Sequence, residues 1–264
     1  MYCIVLVMEE KQMEQTIIKT SKLCKTFKTV KREQEVLKNL DIEIYENDFT
    51  VIMGASGAGK STLMYALSGM DKPSGGKIKF FNAEISKMNN DELAVFRREN
   101  CGFVFQQMFL LDNMSIMDNI LASGYLTKRG KAEIVSYAKD LLKKVDLPEI
   151  NWSKFPNQLS GGENQRAAIV RALINRPKVV FADEPTGALN SKSGKAVLDV
   201  LSDLNNENQS IIMVTHDINS AVRGNRILYI KDGVIQGELK LDKYNPEDKT
   251  RYDKIKAFLN EMGW

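Results

Sequence analysis

The period of apolar positions changes several times along the chain, and each change marks an element. Thr16 to Phe27 and Val36 to Tyr45 alternate apolar with polar residues, as a strand with one buried face does. A charged segment, Val30 to Glu35, separates them as a hairpin. Phe49 to Met53 is a short continuous apolar run that ends in a glycine-rich loop. Lys60 to Gly69 has helical character and stops at a glycine; the turn Asp71 to Gly76 then leads to a strand, Lys77 to Phe81. Asp91 to Glu99 reads as helix and Cys101 to Phe105 as strand.

From about Leu110 to Asn157 the texture differs. Runs of β-branched residues are few, and Ile134, Ala138, Leu141, Leu142 and Val145 recur at helical spacing, which predicts a helical insertion. After Gly162 a helix runs through Asn175, followed by the strand Val179 to Ala182, a helix from Ser193 to Asn205 and the strand Ile211 to Val214. Such alternation predicts an α/β fold with a parallel sheet and crossover helices. Tyr252, Ile255, Phe258, Leu259 and Met262 share one face of a last amphipathic helix, expected to pack on its own domain rather than on a partner.

Composition narrows the class. The chain has 264 residues, 43% hydrophobic and 27% charged, which excludes disorder, collagen and a small disulfide scaffold. A net charge of +3 makes no whole-chain case for nucleic acid or an anionic membrane surface. No apolar run approaches the ~18 residues of a membrane span. Tyr2 to Val7 is too short for one and lacks the flanks of a signal peptide; with Met8 and Met13 close behind, it reads as a loose tail or a start-site artefact. Cys3, Cys24 and Cys101 are odd in number and scattered, as expected of reduced thiols. One histidine and no ligand spacing argue against zinc.

The chemistry starts at Gly54-Ala55-Ser56-Gly57-Ala58-Gly59-Lys60-Ser61, which matches G-x-x-x-x-G-K-[ST] in full, with Thr62 next. Glycines let the backbone N–H groups converge on phosphate oxygens, and the following helix adds its positive end. Lys60 supplies charge for the β- and γ-phosphates, and Ser61 a hydroxyl for Mg²⁺. Lys178 to Glu184 is an apolar strand ending in two carboxylates. Beside a phosphate loop, Asp183 is the expected Mg²⁺ ligand, and Glu184, pointing elsewhere, is the expected general base.

Leu159-Ser160-Gly161-Gly162-Glu163-Asn164-Gln165-Arg166 resembles the signature motif of ABC (ATP-binding cassette) ATPases. It precedes Asp183 at the family's spacing, and further elements follow the family's order. Gln106 resembles the Q-loop glutamine, His216 the switch histidine, and Phe27 the aromatic residue that stacks on adenine. The resemblance covers about residues 17–237. It implies a P-loop NTPase of the ABC type: a mostly parallel core sheet with helices, an antiparallel β subdomain and a helical insertion. The implied division is an ATPase core over 14–109 and 158–240, a helical subdomain over 110–157, a C-terminal helical extension over 241–264 and a tail over 1–13. ATP and Mg²⁺ are the implied cofactors. Glu184, His216, Gln106 and Lys60 take the catalytic roles; Ser61, Gln106 and Asp183 hold the metal, with no metal other than Mg²⁺. Ser160, Gly161, Gly162 and Glu163 form a second phosphate-binding helix terminus, made without a lysine.

The resemblance also implies a head-to-tail homodimer around two ATP molecules, which ATP closes and hydrolysis reopens. With no membrane span in the chain, it implies a separate permease, a peripheral place at the cytoplasmic face of the plasma membrane, and no nucleic-acid partner. The run Asp183 to Ser191 resembles the branch of macrolide-export and lipoprotein-release ATPases, and most closely the bacitracin-resistance type, which handles antimicrobial peptides. An ATPase driving a mechanical membrane complex of the cell-division type shares every one of these motifs. One position departs from the family: Asn190 stands where an aspartate is usual, keeping the size and losing the charge. Met108 to Ile120, apolar and Met-rich, suits either a grip on a permease helix or ordinary core.

Overall fold

A computed structural model describes residues 15–29 and 32–264. The expected tail over 1–13, with Cys3, and the start of the expected hairpin at Val30 and Lys31 lie outside the described residues. The chain runs β1 (Thr16–Thr29), β2 (Arg32–Leu40), β3 (Glu43–Tyr45), β4 (Phe49–Met53), α1 (Lys60–Leu67), β5 (Gly75–Phe80), β6 (Ala83–Glu84), α2 (Asn90–Asn100), β7 (Cys101–Phe105), α3 (Ile116–Gly124), α4 (Lys131–Lys144), α5 (Gly161–Leu173), β8 (Val179–Asp183), α6 (Ser191–Asn206), β9 (Ser210–Val214), α7 (Ile218–Ala221), β10 (Arg226–Lys231), β11 (Val234–Lys240) and α8 (Arg251–Glu261).

Two sheets form. The first is antiparallel, in the order β2-β1-β5-β6 with β3 also on β1. The second runs β11-β10-β4-β9-β8-β7 and is parallel except for the β10–β11 hairpin. The two-residue period of its strands divides the interior. Phe49, Val51, Met53, Val180 and Tyr229 face a core shared with α3 to α6 and α8. Ile52, Phe181, Ile212, Val214 and Ile230 face the other core, closed by Leu63, Met64 and Leu67 of α1 and by the antiparallel sheet.

The register places the chemistry. Phe105 stands beside Asp183, Asp183 beside Val214, and Val214 beside Ile52. The segments that follow these four strands therefore leave the sheet along one edge, the carboxyl edge where open α/β sheets take their ligands.

Several elements differ from the sequence reading. Val36 to Tyr45 is two strands, broken at Asp41 and Ile42: β2 pairs with β1 from Leu23 onward and β3 with its first residues, Thr16 to Lys19. The strand expected from Lys77 begins inside the glycine turn, at Gly75. The helix expected through Asn175 ends at Leu173. The β10–β11 hairpin was not anticipated, although Asp232-Gly233, both at positive φ, is a strong hairpin-turn signal. The Met108–Ile120 segment divides: Phe109 and Leu111 are exposed, whereas Ile116 and Ile120 are core.

The last helix packs on its own domain. Ile255, Phe258 and Leu259 are buried in the first core, and Tyr252 is exposed. Buried Arg251 roots the helix by donating to the carbonyls of Val222, Gly224 and Asp242.

Candidate active site

The loop between β4 and α1 wraps a cavity of about 720 Å³. A Cβ at Gly54 would stand 2.2 Å from the Ile230 carbonyl oxygen, so only glycine lets the loop pass β10. Gly59, at φ 104°, is the N-cap of α1 and offers no side-chain cap, and no acidic residue occupies the first turn. The helix N-terminus is thus left for an anion. Lys60 Nζ donates to the carbonyls of Gly54 (2.8 Å) and Ala55 (2.9 Å), which holds the ammonium over the loop. Its burial lowers its pKa, against the pull of Glu184 and Asp183.

Asp183 stands behind the cavity-lining Ser61. Its two oxygens accept from Ser61 Oγ at 3.1 Å and Tyr65 OH at 2.9 Å. Burial raises its pKa, partly offset by those two hydrogen bonds; the Tyr65 phenol, buried beside the carboxylate, is pushed up to about 12. Tyr65 was not singled out from the sequence. Its signal is helical spacing: it lies one turn after Ser61 and so faces the same side of α1.

Glu184 leaves the strand at φ 46° with its N–H on the Val214 carbonyl. This turn aims its carboxylate away from Asp183. One oxygen lies 2.7 Å from His216 Nδ1 and the other accepts from Thr215 Oγ1 at 3.2 Å. Thr215 Oγ1 in turn accepts from the Asp217 N–H, which fixes the loop carrying the histidine. A carboxylate, an imidazole and an ammonium therefore share one cavity, groups suited to chemistry on a phosphoryl group.

Ala55, Ser56, Gly57, Gly59, Lys60, Ser61, Thr62, Glu184 and His216 line the cavity, with Val36 and Trp264. The remaining expected residues stand elsewhere. Ala58 is buried in the second core, its N–H bonded to Ala55. Gln106 rests against Gly187, where a Cβ would meet its Nε2 at 2.9 Å. Phe27 stands on the rim side, on the β1–β2 ribbon. It is 45% exposed, with Lys25 Nζ 4.9 Å from its ring centroid, and it does not line the cavity. Its strand pairing holds it there, which alternation along β1 alone did not show.

The signature residues form a separate site. Ser160 caps α5, its Oγ accepting from the Glu163 N–H at 3.3 Å, while Glu163 accepts from the Ser160 N–H at 2.9 Å and from Asn151 Nδ2 at 2.7 Å. The hydrogen bonds from Ser160 hold the Glu163 carboxyl below the usual carboxylate range. Within one chain none of these residues reaches the phosphate-loop cavity. Gln165, fully buried, donates to the carbonyls of Phe105 and Pro185, tying α5 to the segments that follow β7 and β8. Asn190 caps α6 by accepting from the Ser193 N–H at 2.9 Å, a task that needs an oxygen and not a charge.

The family model described as ABC transporter matches residues 37–187, more than half the chain and the span from the phosphate loop to the signature and Glu184. The chain belongs to the ABC transporter family. It is an ATP-hydrolysing ABC ATPase. It is 42% identical over 248 residues, 94% of this chain and 96% of the relative, to the bacitracin export ATP-binding protein BceA of Halalkalibacterium halodurans. It is 40% identical over 246 residues to the macrolide export ATP-binding/permease protein MacB of Campylobacter fetus, of which it spans 38%. Among solved structures it resembles the ATP-binding cassette of Methanocaldococcus jannaschii in a dimeric post-hydrolysis state bound to ADP and Pi. The TM-score there is 0.79 at 39% identity, covering 86% of this chain and 100% of that one. No helix among the described residues is long and apolar enough to cross a membrane.

Proposed function

We propose that this ABC ATPase powers a separate membrane permease that exports, or gives resistance to, antimicrobial peptides or related amphiphiles. The observation that carries the reading is the 42% identity to a bacitracin export ATP-binding protein across 94% of this chain. Residues 14–109 and 158–240 serve as the ATPase core, 110–157 as the helical subdomain and 241–264 as an extension. A groove of about 450 Å³ beside this core, lined by Met70, Phe103, Phe105, Phe109, Leu126 and Arg171, supports docking of a short permease helix at the cytoplasmic face. Exposed Phe109 and Leu126 lie on it.

Two copies sandwich two ATP molecules head to tail, which accounts for a signature helix that stands apart from the cavity of its own chain. The oxygens of Ser61 and Asp183, with the Ser61 hydroxyl donating to the carboxylate at 3.1 Å, suit Mg²⁺, as does Gln106 on the neighbouring loop. When bound, the ion neutralises charge on the β- and γ-phosphates. Lys60 holds the same phosphates. Glu184 takes a proton as water attacks the γ-phosphorus and the bond to the β-bridging oxygen breaks. His216, oriented by Glu184, contacts the γ-phosphate and carries its state to the dimer interface.

Glu184→Gln keeps the size of the base and removes its basicity. Turnover should fall about 10²- to 10⁴-fold while ATP-bound dimers persist on size-exclusion chromatography; normal hydrolysis would refute the base. Co-purification from detergent-solubilised membranes tests the partner. A multi-span permease supports the reading, a division-type membrane protein replaces it with a mechanical one, and nucleic acid without any membrane protein overturns both.

A further inference from the structure

Asp183, the expected ligand of Mg²⁺, is held by two hydroxyls from one helix. Ser61 Oγ donates to its Oδ1 at 3.1 Å, and Tyr65 OH donates to its Oδ2 at 2.9 Å. Both hydroxyls come from the same face of α1, one turn apart. Ser61 lines the phosphate-loop cavity and Tyr65 does not, so the tyrosine meets the carboxylate outside the cavity.

Ordinary folding forces put the phenol there. Leu63, Met64 and Leu67 root α1 in the second core, and Tyr65 packs against that core. The Tyr65 carbonyl accepts from the N–H groups of Met70 at 2.9 Å and Asp71 at 3.1 Å, and from Ser68 Oγ at 3.2 Å. These bonds tie off the end of α1, so the backbone that carries the phenol has little freedom. On the other side, Asp183 ends β8, registered between Phe105 of β7 and Val214 of β9. A fixed helix and a fixed strand thus hold the contact. A phenylalanine would pack there as well; only the hydroxyl serves the carboxylate.

We propose that Tyr65 is a positioning residue that makes the Asp183 site selective for Mg²⁺ over Ca²⁺. It acts through Asp183 and touches neither nucleotide nor metal. A carboxylate that is free to turn can give both oxygens to one cation. Ca²⁺ accepts that mode within its flexible shell of about six to eight oxygens, whereas Mg²⁺ demands near-octahedral geometry with oxygens at about 2.0–2.1 Å. With Ser61 on one oxygen and Tyr65 on the other, turning both onto one cation costs the Tyr65 hydrogen bond. Asp183 is thereby held to the single-oxygen role that suits Mg²⁺. The inference rests on the reading of Ser61 and Asp183 as the Mg²⁺ site.

Tyr65→Phe removes the hydroxyl and keeps the ring. The chain is loaded with ADP, freed of excess nucleotide and given Mn²⁺ as a paramagnetic probe. Mg²⁺ and Ca²⁺ are then titrated separately against the signal of bound Mn²⁺. The ratio of the Ca²⁺ to the Mg²⁺ concentration that displaces half the probe measures the preference. Tyr65→Phe should lower that ratio about tenfold, the loss of one hydrogen bond to a charged group. ADP affinity in EDTA, measured by equilibrium dialysis, should stay unchanged, because the phenol lies outside the cavity. Asp183→Asn should abolish Mn²⁺ binding.

An unchanged ratio in Tyr65→Phe, with Mn²⁺ bound as in the wild type, overturns the proposal and leaves the metal site standing. A loss of ADP affinity in EDTA overturns it too, since the tyrosine then supports the cavity as a whole. If Asp183→Asn keeps full Mn²⁺ affinity, Asp183 is no ligand, and the Mg²⁺ reading falls together with the proposal.

Discussion

The N-termini of α1 and α5 both carry glycine, Gly59 as the cap of the first and Gly161 and Gly162 as the opening residues of the second, yet they treat their own backbone N–H groups in different ways. At α1 no side chain caps the helix and the first turn carries no acid. At α5 the Ser160–Glu163 capping box satisfies the terminus from within, and Asn151 steadies the glutamate. The first terminus stands ready for an anion and supplies a cation, Lys60, to meet it. The second has its Ser160 and Glu163 N–H groups satisfied by its own side chains. One helix end is left open and the other is partly closed on itself.

That contrast is breakable by mutation. The largest effect is expected from Lys60→Ala. Loss of the charge that meets the phosphates should cut ATPase activity by at least about a hundredfold and weaken ATP binding, while the melting temperature stays within a few degrees. Unchanged ATP affinity would refute the role of the open terminus.

Ser160→Ala should behave in the opposite manner. Loss of the cap costs about 1 kcal/mol, a fall of about 3 °C in melting temperature for a domain of this size. ADP binding by the single chain should be untouched, because Ser160 lies outside the cavity. If ADP binding drops together with stability, the two sites are not separate within one chain.

The smallest effect is expected from Glu163→Gln. Glutamine can keep the reciprocal hydrogen bonds. The wild-type carboxyl titrates lower when folded than when unfolded, so it contributes stability above the unfolded pKa and loses it as pH falls through the folded one. Between about pH 5 and pH 3 the wild type should therefore lose melting temperature slightly faster than the variant. Parallel pH profiles would show that the cap does not depend on charge.

Much of the fold and site was legible in the order of residues. The phosphate loop, the acidic strand and the capped signature each depend on a few neighbouring residues, whose backbone freedom and hydrogen-bonding reach act locally. The β10–β11 hairpin is equally legible at Asp232-Gly233, although polar residues surround the turn. Tyr65 was also readable, one helical turn from Ser61. The positions of Phe27 and Gln165 were not. Alternation places Phe27 on a strand without saying what lies beside that strand, and a glutamine inside a helix pattern shows no preference for two distant carbonyls.

The sequence by itself determined which groups carry the chemistry: the ammonium of Lys60, the carboxylates of Asp183 and Glu184, the imidazole of His216 and the two glycine-led helix ends. Their identities are covalent, and their immediate backbone geometry follows from neighbours within a turn or two. Only the tertiary structure decided which of them meet. The parallel register puts Asp183 beside Val214 and so brings Glu184 to the loop of His216, 32 positions away. The packing of α8 sets Trp264 on the cavity. These meetings depend on burying two separate faces of one sheet, a requirement spread over the whole chain that no short segment contains.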